Sequence, residues 1–331
     1  MRRREFITLL GGAAATVPLA VRAQQAAKVY RIAIMAAAYP VAEITETSSL
    51  RFYRVLFQEL RRLGYVEGRN LVVERYSGEG RSEHYAELAR DVVRSKPDLI
   101  LAGGNMLVQD LKAATATIPI VCSMADPVGA GLVASLAHPG GNITGVSIDA
   151  GPEIATKVLE LLKEAFPRAS RVGVLSGWTP YRKRLQDAAQ HLGILLLAPR
   201  LEGTLQETEY RRAFKAIVQE HADALWVGTG VENLANRQLI VELAENNRLP
   251  TIYPLRDYVE AGGLMAYGVD LVDLYTRVAG YIDQILKGAS PGDLPVYQAA
   301  KFELVINMKA AKSIGVMIPP ALVLRADEVI E

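Results

Sequence analysis

The 331-residue sequence predicts an α/β protein of two similar lobes, each a doubly wound parallel sheet with helices on both faces. Three observations carry that prediction. Short apolar runs of about four to six residues alternate with amphipathic stretches of about ten to sixteen, and strands that are apolar throughout belong to sheets covered on both sides. The order of these segments is then repeated, corresponding pieces lying roughly 125 to 140 residues apart. Elements left over after both lobes are complete require the chain to cross between them more than once, and several crossing segments make a hinge.

In the first half, Arg31 to Met35 reads as a strand. Phe52, Val55, Leu56, Leu60 and Leu63 then recur at helical spacing, with Gly64 ending the helix. Leu71 to Val73 is the next strand. Ser82 is placed to cap a helix carrying Tyr85, Leu88, Ala89, Val92 and Val93. Asp98 to Ala102 and Ile118 to Cys122 are further strands with a helix between them. The second half answers in order: Arg171 to Leu175, the Gln190-His191-Leu192-Gly193 helix end, Ile194 to Leu197, Ala222 to Val227, and Leu249 to Ile252. Leu264 to Tyr267 reads as a strand, Leu271 to Leu286 as a helix, Gly288 to Gly292 as a linker, and Phe302 to Ile306 as a final strand. The first change of lobe is expected near Pro139-Gly140-Gly141-Asn142. The expected organisation is a first lobe of 28–145 plus about 268–290 and a second of 146–267 plus about 291–331.

The chain opens with a basic cluster, Arg2-Arg3-Arg4, followed by an uncharged run from Phe6 to Val21 and small residues around Val21-Arg22-Ala23. This is the order of a cleaved export signal over residues 1–23, and Arg3-Arg4-Glu5-Phe6-Ile7 matches the twin-arginine type. The apolar run is too short to span a bilayer, which takes about 20 residues. Losing Arg2, Arg3, Arg4, Arg22 and Glu5 takes the formal charge from +1 to −2. Such balance gives no reason to expect nucleic acid or an anionic membrane as partner. The one cysteine, Cys122, excludes an internal disulfide, and no cysteine follows the signal to take a lipid. A soluble, monomeric periplasmic product is expected.

Residues for catalysis are hard to find. There is no Gly-x-Ser-x-Gly elbow, and His84, His138, His191 and His221 have no zinc-ligand spacing. Gly129-Ala130-Gly131-Leu132-Val133-Ala134 fits a dinucleotide fingerprint, with Asp149 about 20 residues on. However, Ser123 to Val128 separate it from its strand, so it reads instead as a helix start packed on the sheet. Neither cofactor nor metal is expected, nor an enzyme, although dispersed carboxylates leave a hydrolase open. A lobe pair that senses ligand for a signalling partner is the other alternative.

Ligands of open parallel sheets bind beyond the carboxyl ends of the strands. Those loops are Ala36 to Pro40, Gly103 to Met106, Ser123 to Pro127, Ser176 to Tyr181, Gly228 to Gly230, Tyr253 to Asp257 and Tyr267 to Asp270. From them, Asn105, Ser123 and Asp126 are the expected ligand contacts of the first lobe. Trp178, Thr229, Tyr253 and Asp270 are those of the second. Asp126 and Asp270 are the residues expected to face an ammonium group.

Asp126 to Val133 together with Pro139-Gly140-Gly141-Asn142-Ile143-Thr144-Gly145 resembles the signature of one substrate-binding family of ABC importers, which includes tryptophan- and other aromatic-amino-acid-binding members. Leu249-Pro250, Ile252-Tyr253-Pro254, Glu260 to Met265, Leu286 to Ala289 and Lys301 to Asn307 also fit, so the similarity runs from about Tyr30 to the end. The resemblance implies a type I periplasmic-binding fold with three hinge crossings. It also implies closure around a small polar or aromatic solute, such as an amino acid, and delivery to an inner-membrane permease. Amino-acid-binding relatives usually read Gly-Thr-Pro-Ala where this chain has Gly103-Gly104-Asn105-Met106.

Overall fold

The computed structural model describes residues 28–149, 151, 153–175, 182–199, 201 and 206–331. The expected signal segment 1–23 and Trp178 lie outside them.

The chain begins in the first lobe with β1 (Tyr30–Ala36), α1 (Arg51–Arg62), β2 (Leu71–Ser77), α2 (Tyr85–Ser95), β3 (Leu99–Gly103), α3 (Asn105–Ala114), β4 (Ile120–Met124) and β5 (Ile143–Ser147). It crosses to the second lobe for α4 (Glu153–Ala165), β6 (Arg171–Leu175), α5 (Arg182–His191), β7 (Leu195–Leu197), α6 (Glu207–Gln219) and β8 (Ala224–Val227). That lobe continues through α7 (Val231–Ala235), α8 (Arg237–Asn246), β9 (Thr251–Tyr253), α9 (Arg256–Glu260) and β10 (Met265–Val269). A second crossing returns it for α10 (Leu271–Leu286) and β11 (Tyr297–Gln298). The third leads to β12 (Phe302–Asn307), α11 (Met308–Ile314), α12 (Pro320–Val323) and β13 (Glu328–Ile330).

The two sheets repeat one winding. The first runs β2-β1-β3-β4-β5-β11 and the second β7-β6-β8-β9-β10-β12-β13. Alternation along β1 shows how both faces are buried: Ile32 and Ile34 enter one core with Leu56, Leu60 and Ile282, while Ala33 and Met35 enter another with Val92 and Leu107. In the second lobe Trp226 packs with Val172 and Leu159, and Leu225 on the opposite face packs with Phe214 and Ile240. Among the described strands, β12 and its parallel neighbour β13 run against the others of their sheet. β12 runs antiparallel to β10 because it re-enters the lobe from the hinge end.

Four expectations are corrected. β5 pairs in parallel with β4, so the first crossing follows Ser147 and not Asn142. Gly145 makes that pairing possible: a Cβ there would lie 2.1 Å from the Cys122 carbonyl oxygen. β11 pairs with β5, so the third crossing follows Gln298 and not the linker near residue 291. The glycines at 129 and 131 open no helix. Residues 127–131 form turns, Leu132 N–H donates to the Pro127 carbonyl, and the chain keeps turning because Pro127, Gly131 (φ 66°) and Pro139 interrupt any helical run. Ser82 likewise caps no helix; it sits inside a 3-10 turn, Ser82–His84, ahead of α2.

Candidate functional site

In each sheet the strand order reverses beside the first strand of the lobe, and the loops leaving the two flanking strands open a crevice there. In the first lobe these are the loops after β1 and β3; the β1 loop carries Tyr39, and the β3 loop leads into Asn105. In the second they follow β6, whose loop holds Trp178 outside the described residues, and β8, which leads to Thr229.

The two crevices face each other and are shut. Gly104, at φ 94°, is so close to the second lobe that a Cβ on it would meet Val231 Cγ2 at 3.2 Å. Leu234 and Leu255 of the second lobe pack against the core of the first. Arg51 at the start of α1 reaches Glu328 of β13 at 3.1 Å. Between the lobes, Tyr39 donates its phenol hydrogen to Asp257 Oδ1 at 2.8 Å.

Asp257 is the centre of this contact. It lies in the first turn of α9, and only 4% of it is exposed. The first lobe surrounds it with aromatic rings. Tyr39 lies 5.3 Å from Phe52 and 6.1 Å from Tyr53 between ring centroids, and Phe52 lies 4.6 Å from Tyr275 of α10. The guanidinium of Arg237 stands 5.5 Å from the Tyr39 ring centroid, from the second lobe. Burial pushes the Tyr39 phenol well above its ordinary value, and the Asp257 charge adds to this. Tyr53 is raised by burial and by Tyr275 and Asp257. Burial also pushes Tyr275 up to about 12. Burial raises Asp257 too, against the opposing hydrogen bond from Tyr39. These phenols therefore remain neutral hydrogen-bond donors at neutral pH, and the site presents one acidic group in an aromatic bowl.

The expected contacts fall into distinct places. Asn105 is half-buried at the first turn of α3 and grips the neighbouring loop: its amide donates to the Ala125 carbonyl at 2.6 Å and its Oδ1 accepts from Ala125 N–H at 2.8 Å. The Gly-Gly-Asn-Met departure thus supplies a loop clamp, while Met106 projects outward, 54% exposed. Ser123 is buried at the end of β4, close to Tyr275 of the first-lobe bowl. Thr229 is exposed between two glycines just before α7.

The remaining three have partners inside the protein. Asp126, at φ 39°, turns its carboxylate back to accept from Gly129 N–H at 3.0 Å. Tyr253 is buried in the second-lobe core, stacked on Tyr258 with centroids 4.9 Å apart. Asp270 caps α10 through Val272 N–H and Asp273 N–H and pairs with Lys301 at 2.6 Å. The group that joins the lobes, Asp257 with Tyr39, Phe52, Tyr53 and Tyr275, was not among the expected contacts. Tyr39 and Asp257 lie in loops recognisable as strand ends, so a signal was present. The aromatic residues of α1 and α10 read only as core.

Among the described residues no cluster of histidine, cysteine or acidic side chains is arranged to hold a metal ion, and no helix is long and apolar enough to cross a membrane. Cys122 is free and buried, and burial raises its thiol far above the ordinary range.

Comparison with known proteins agrees with this architecture. The "tyrosine-binding protein" of Clostridioides difficile is 28% identical over 285 residues, covering 83% of this chain and 79% of that protein. The crystal structure of a conserved domain protein from Vibrio cholerae superposes with a TM-score of 0.80 at 28% identity, covering 91% of this chain and 100% of that one. The structure of an ABC domain from Streptococcus pneumoniae in complex with L-Trp superposes at 0.78 with 25% identity, covering 92% and 100%. The family model for ABC transporter substrate binding proteins matches residues 40–330. With its two doubly wound lobes and closed cleft, this chain belongs to the ABC transporter substrate-binding protein family.

Proposed function

We propose that this chain is the periplasmic receptor of an ABC importer that closes its lobes around a small aromatic solute and presents the closed form to an inner-membrane permease. The observation that carries this reading is the placement of Asp257, a carboxylate from one lobe buried among aromatic side chains of the other. A group so placed reads the state of the cleft, because its surroundings exist only when the lobes meet. Relatives named as binding tyrosine or solved with L-Trp support an aromatic solute. Ligand that touches both lobes shifts the open and closed populations by its differential affinity for the closed form.

In this reading Ser123 and Asn105 shape the first-lobe wall and Thr229 the rim of the second, and Trp178 is a further ligand contact. Asp126, Tyr253 and Asp270 enter only if a ligand displaces their present partners, and Asp257 takes the role of facing a donor group. Residues 1–23 export the chain by the twin-arginine type of signal and are then removed, leaving a monomer that binds without turnover. Thermal-shift titration of the mature protein with aromatic and aliphatic amino acids tests this. An aromatic solute at a hundredfold excess over its dissociation constant stabilises by about 2.7 kcal/mol. Chemical conversion of the bound compound would place the chain among enzymes instead.

A further inference from the structure

Tyr39 occupies the crevice as a ligand does. Its ring lies beyond the end of β1, at the point where the strand order reverses and ligands of such sheets bind. The residue belongs to an irregular loop between β1 and a 3-10 turn at Val41–Glu43, yet it is only 8% exposed. Both lobes enclose it. Phe52 and Tyr53 flank the ring from the first, and the Arg237 guanidinium and the Asp257 carboxylate approach it from the second. A receptor with an empty crevice gains little by closing, because closure would leave voids and unpaired polar groups. Here a phenol fills the space and satisfies the carboxylate, and an aromatic side chain buries about 150–250 Å² in such a setting.

We infer that Phe52, Tyr53, Arg237 and Asp257 form a subsite for a hydroxyl-bearing aromatic ring, which the chain's own Tyr39 fills when no solute is bound. The geometry stands without the receptor reading; naming a bound solute rests on it. A solute with a phenol or similar donor-bearing ring competes with Tyr39 for the same acceptor. Wild-type affinity is lowered by the fraction of receptor that is already self-filled. Removing the Tyr39 side chain strengthens solute binding about tenfold, the worth of one buried hydrogen bond.

The test uses p-cresol, the detached side chain of tyrosine, with toluene as the ring lacking the hydroxyl. The Tyr39→Ala variant of the mature chain is stabilised by p-cresol in a thermal-shift titration, more than by toluene. The wild type needs about tenfold more p-cresol for the same shift. Adding Asp257→Leu to Tyr39→Ala removes the preference for p-cresol over toluene. If folded Tyr39→Ala ignores p-cresol, or the wild type responds equally, the subsite is wrong. Should Tyr39→Ala not fold, Tyr39→Val serves: it removes both the ring and the phenol donor, and p-cresol stabilises it beyond wild type. An equal response of Tyr39→Val and wild type overturns the inference. Rescue by p-cresol in a chain that binds no aromatic solute would sink the receptor reading and leave the subsite standing. Solute binding by wild type without cresol rescue does the reverse.

Discussion

Lys301 sets its ammonium 2.6 Å from the Asp270 carboxylate at the point where two of the three hinge segments run side by side. The backbone joins them as well, Asp270 N–H donating to the Lys301 carbonyl at 3.0 Å. A carboxylate placed here therefore ties the entry to α10 to the return into β12. Burial opposes its charge, but Lys301 and the amides of Val272 and Asp273 outweigh that and hold the Asp270 carboxyl below its ordinary value of 3.8.

A depressed carboxyl stabilises the folded state above its unfolded value and loses that contribution as pH falls through the folded one. Asp270→Ala is expected to cost about 0.5–2 kcal/mol at neutral pH, the worth of a helix N-cap. The difference from wild type narrows below the ordinary aspartate value. Urea unfolding at neutral and acidic pH measures both, and a pH-independent deficit would show that capping charge is not involved.

Arg256 gathers three carboxylates. Its guanidinium reaches Glu260 at 3.0 Å, Glu303 at 2.5 Å and Glu328 at 2.6 Å, and Glu328 also receives Arg51 from the other lobe. Burial raises Glu303 even beside this cation. Arg256→Ala leaves the half-buried Glu303 carboxylate without its cation and is expected to cost about 1–3 kcal/mol. Because an unpaired Glu303 binds a proton more readily folded than unfolded, part of that loss is regained as pH falls. Glu303→Gln in the same background restores part of it at neutral pH.

Tyr258 behaves oppositely. Its hydroxyl is buried and, among the described residues, finds no hydrogen-bond partner. Tyr258→Phe keeps the ring stacked on Tyr253 and removes the desolvated group. It is expected to stabilise by about 1 kcal/mol, visible as a rise in melting temperature. A fall would mean the hydroxyl is solvated in solution.

Gly104 sets how far the lobes close. Gly104→Val puts atoms where Val231 and Ala37 now stand, so the variant is expected to stay open and give a larger radius of gyration in solution scattering. Gly64→Val is the control. Gly64 also has a positive φ, 97°, but a Cβ on it meets nothing within 4 Å. It bears backbone strain of about 1–3 kcal/mol without propping the lobes. Equal radii for the two variants would remove Gly104 from the closing surface.

Much of this architecture was legible along the chain. Arg171–Leu175 and Leu271–Leu286 have the bounds their apolar patterns predict, because a strand buried on both faces and a helix with one apolar stripe write their period into consecutive residues. β11 and β13, of two and three residues, carry no such period and were not legible; their pairing with β5 and β12 is made by distant segments. The crossing after Ser147 was hidden for the same reason, since Ile143 to Ser147 reads alike in either lobe.

The site divides along the same line. Residue types at strand ends marked the loops of Tyr39, Asn105, Ser123, Thr229 and Asp257 as the ligand side of each lobe, and the repeated order of segments determined that there are two such sides. Which side chains turn outward is not a local property. Asp126 and Asp270 read as free charges, yet each has found a partner within its own surroundings, Gly129 and Lys301. Asp257 and Tyr39, 218 residues apart, acquire their meaning only when the lobes meet. Periodicity and turn chemistry act between neighbours in the chain and so are written in it. The closing of one lobe on another depends on contacts between remote segments, and tertiary structure alone decides those.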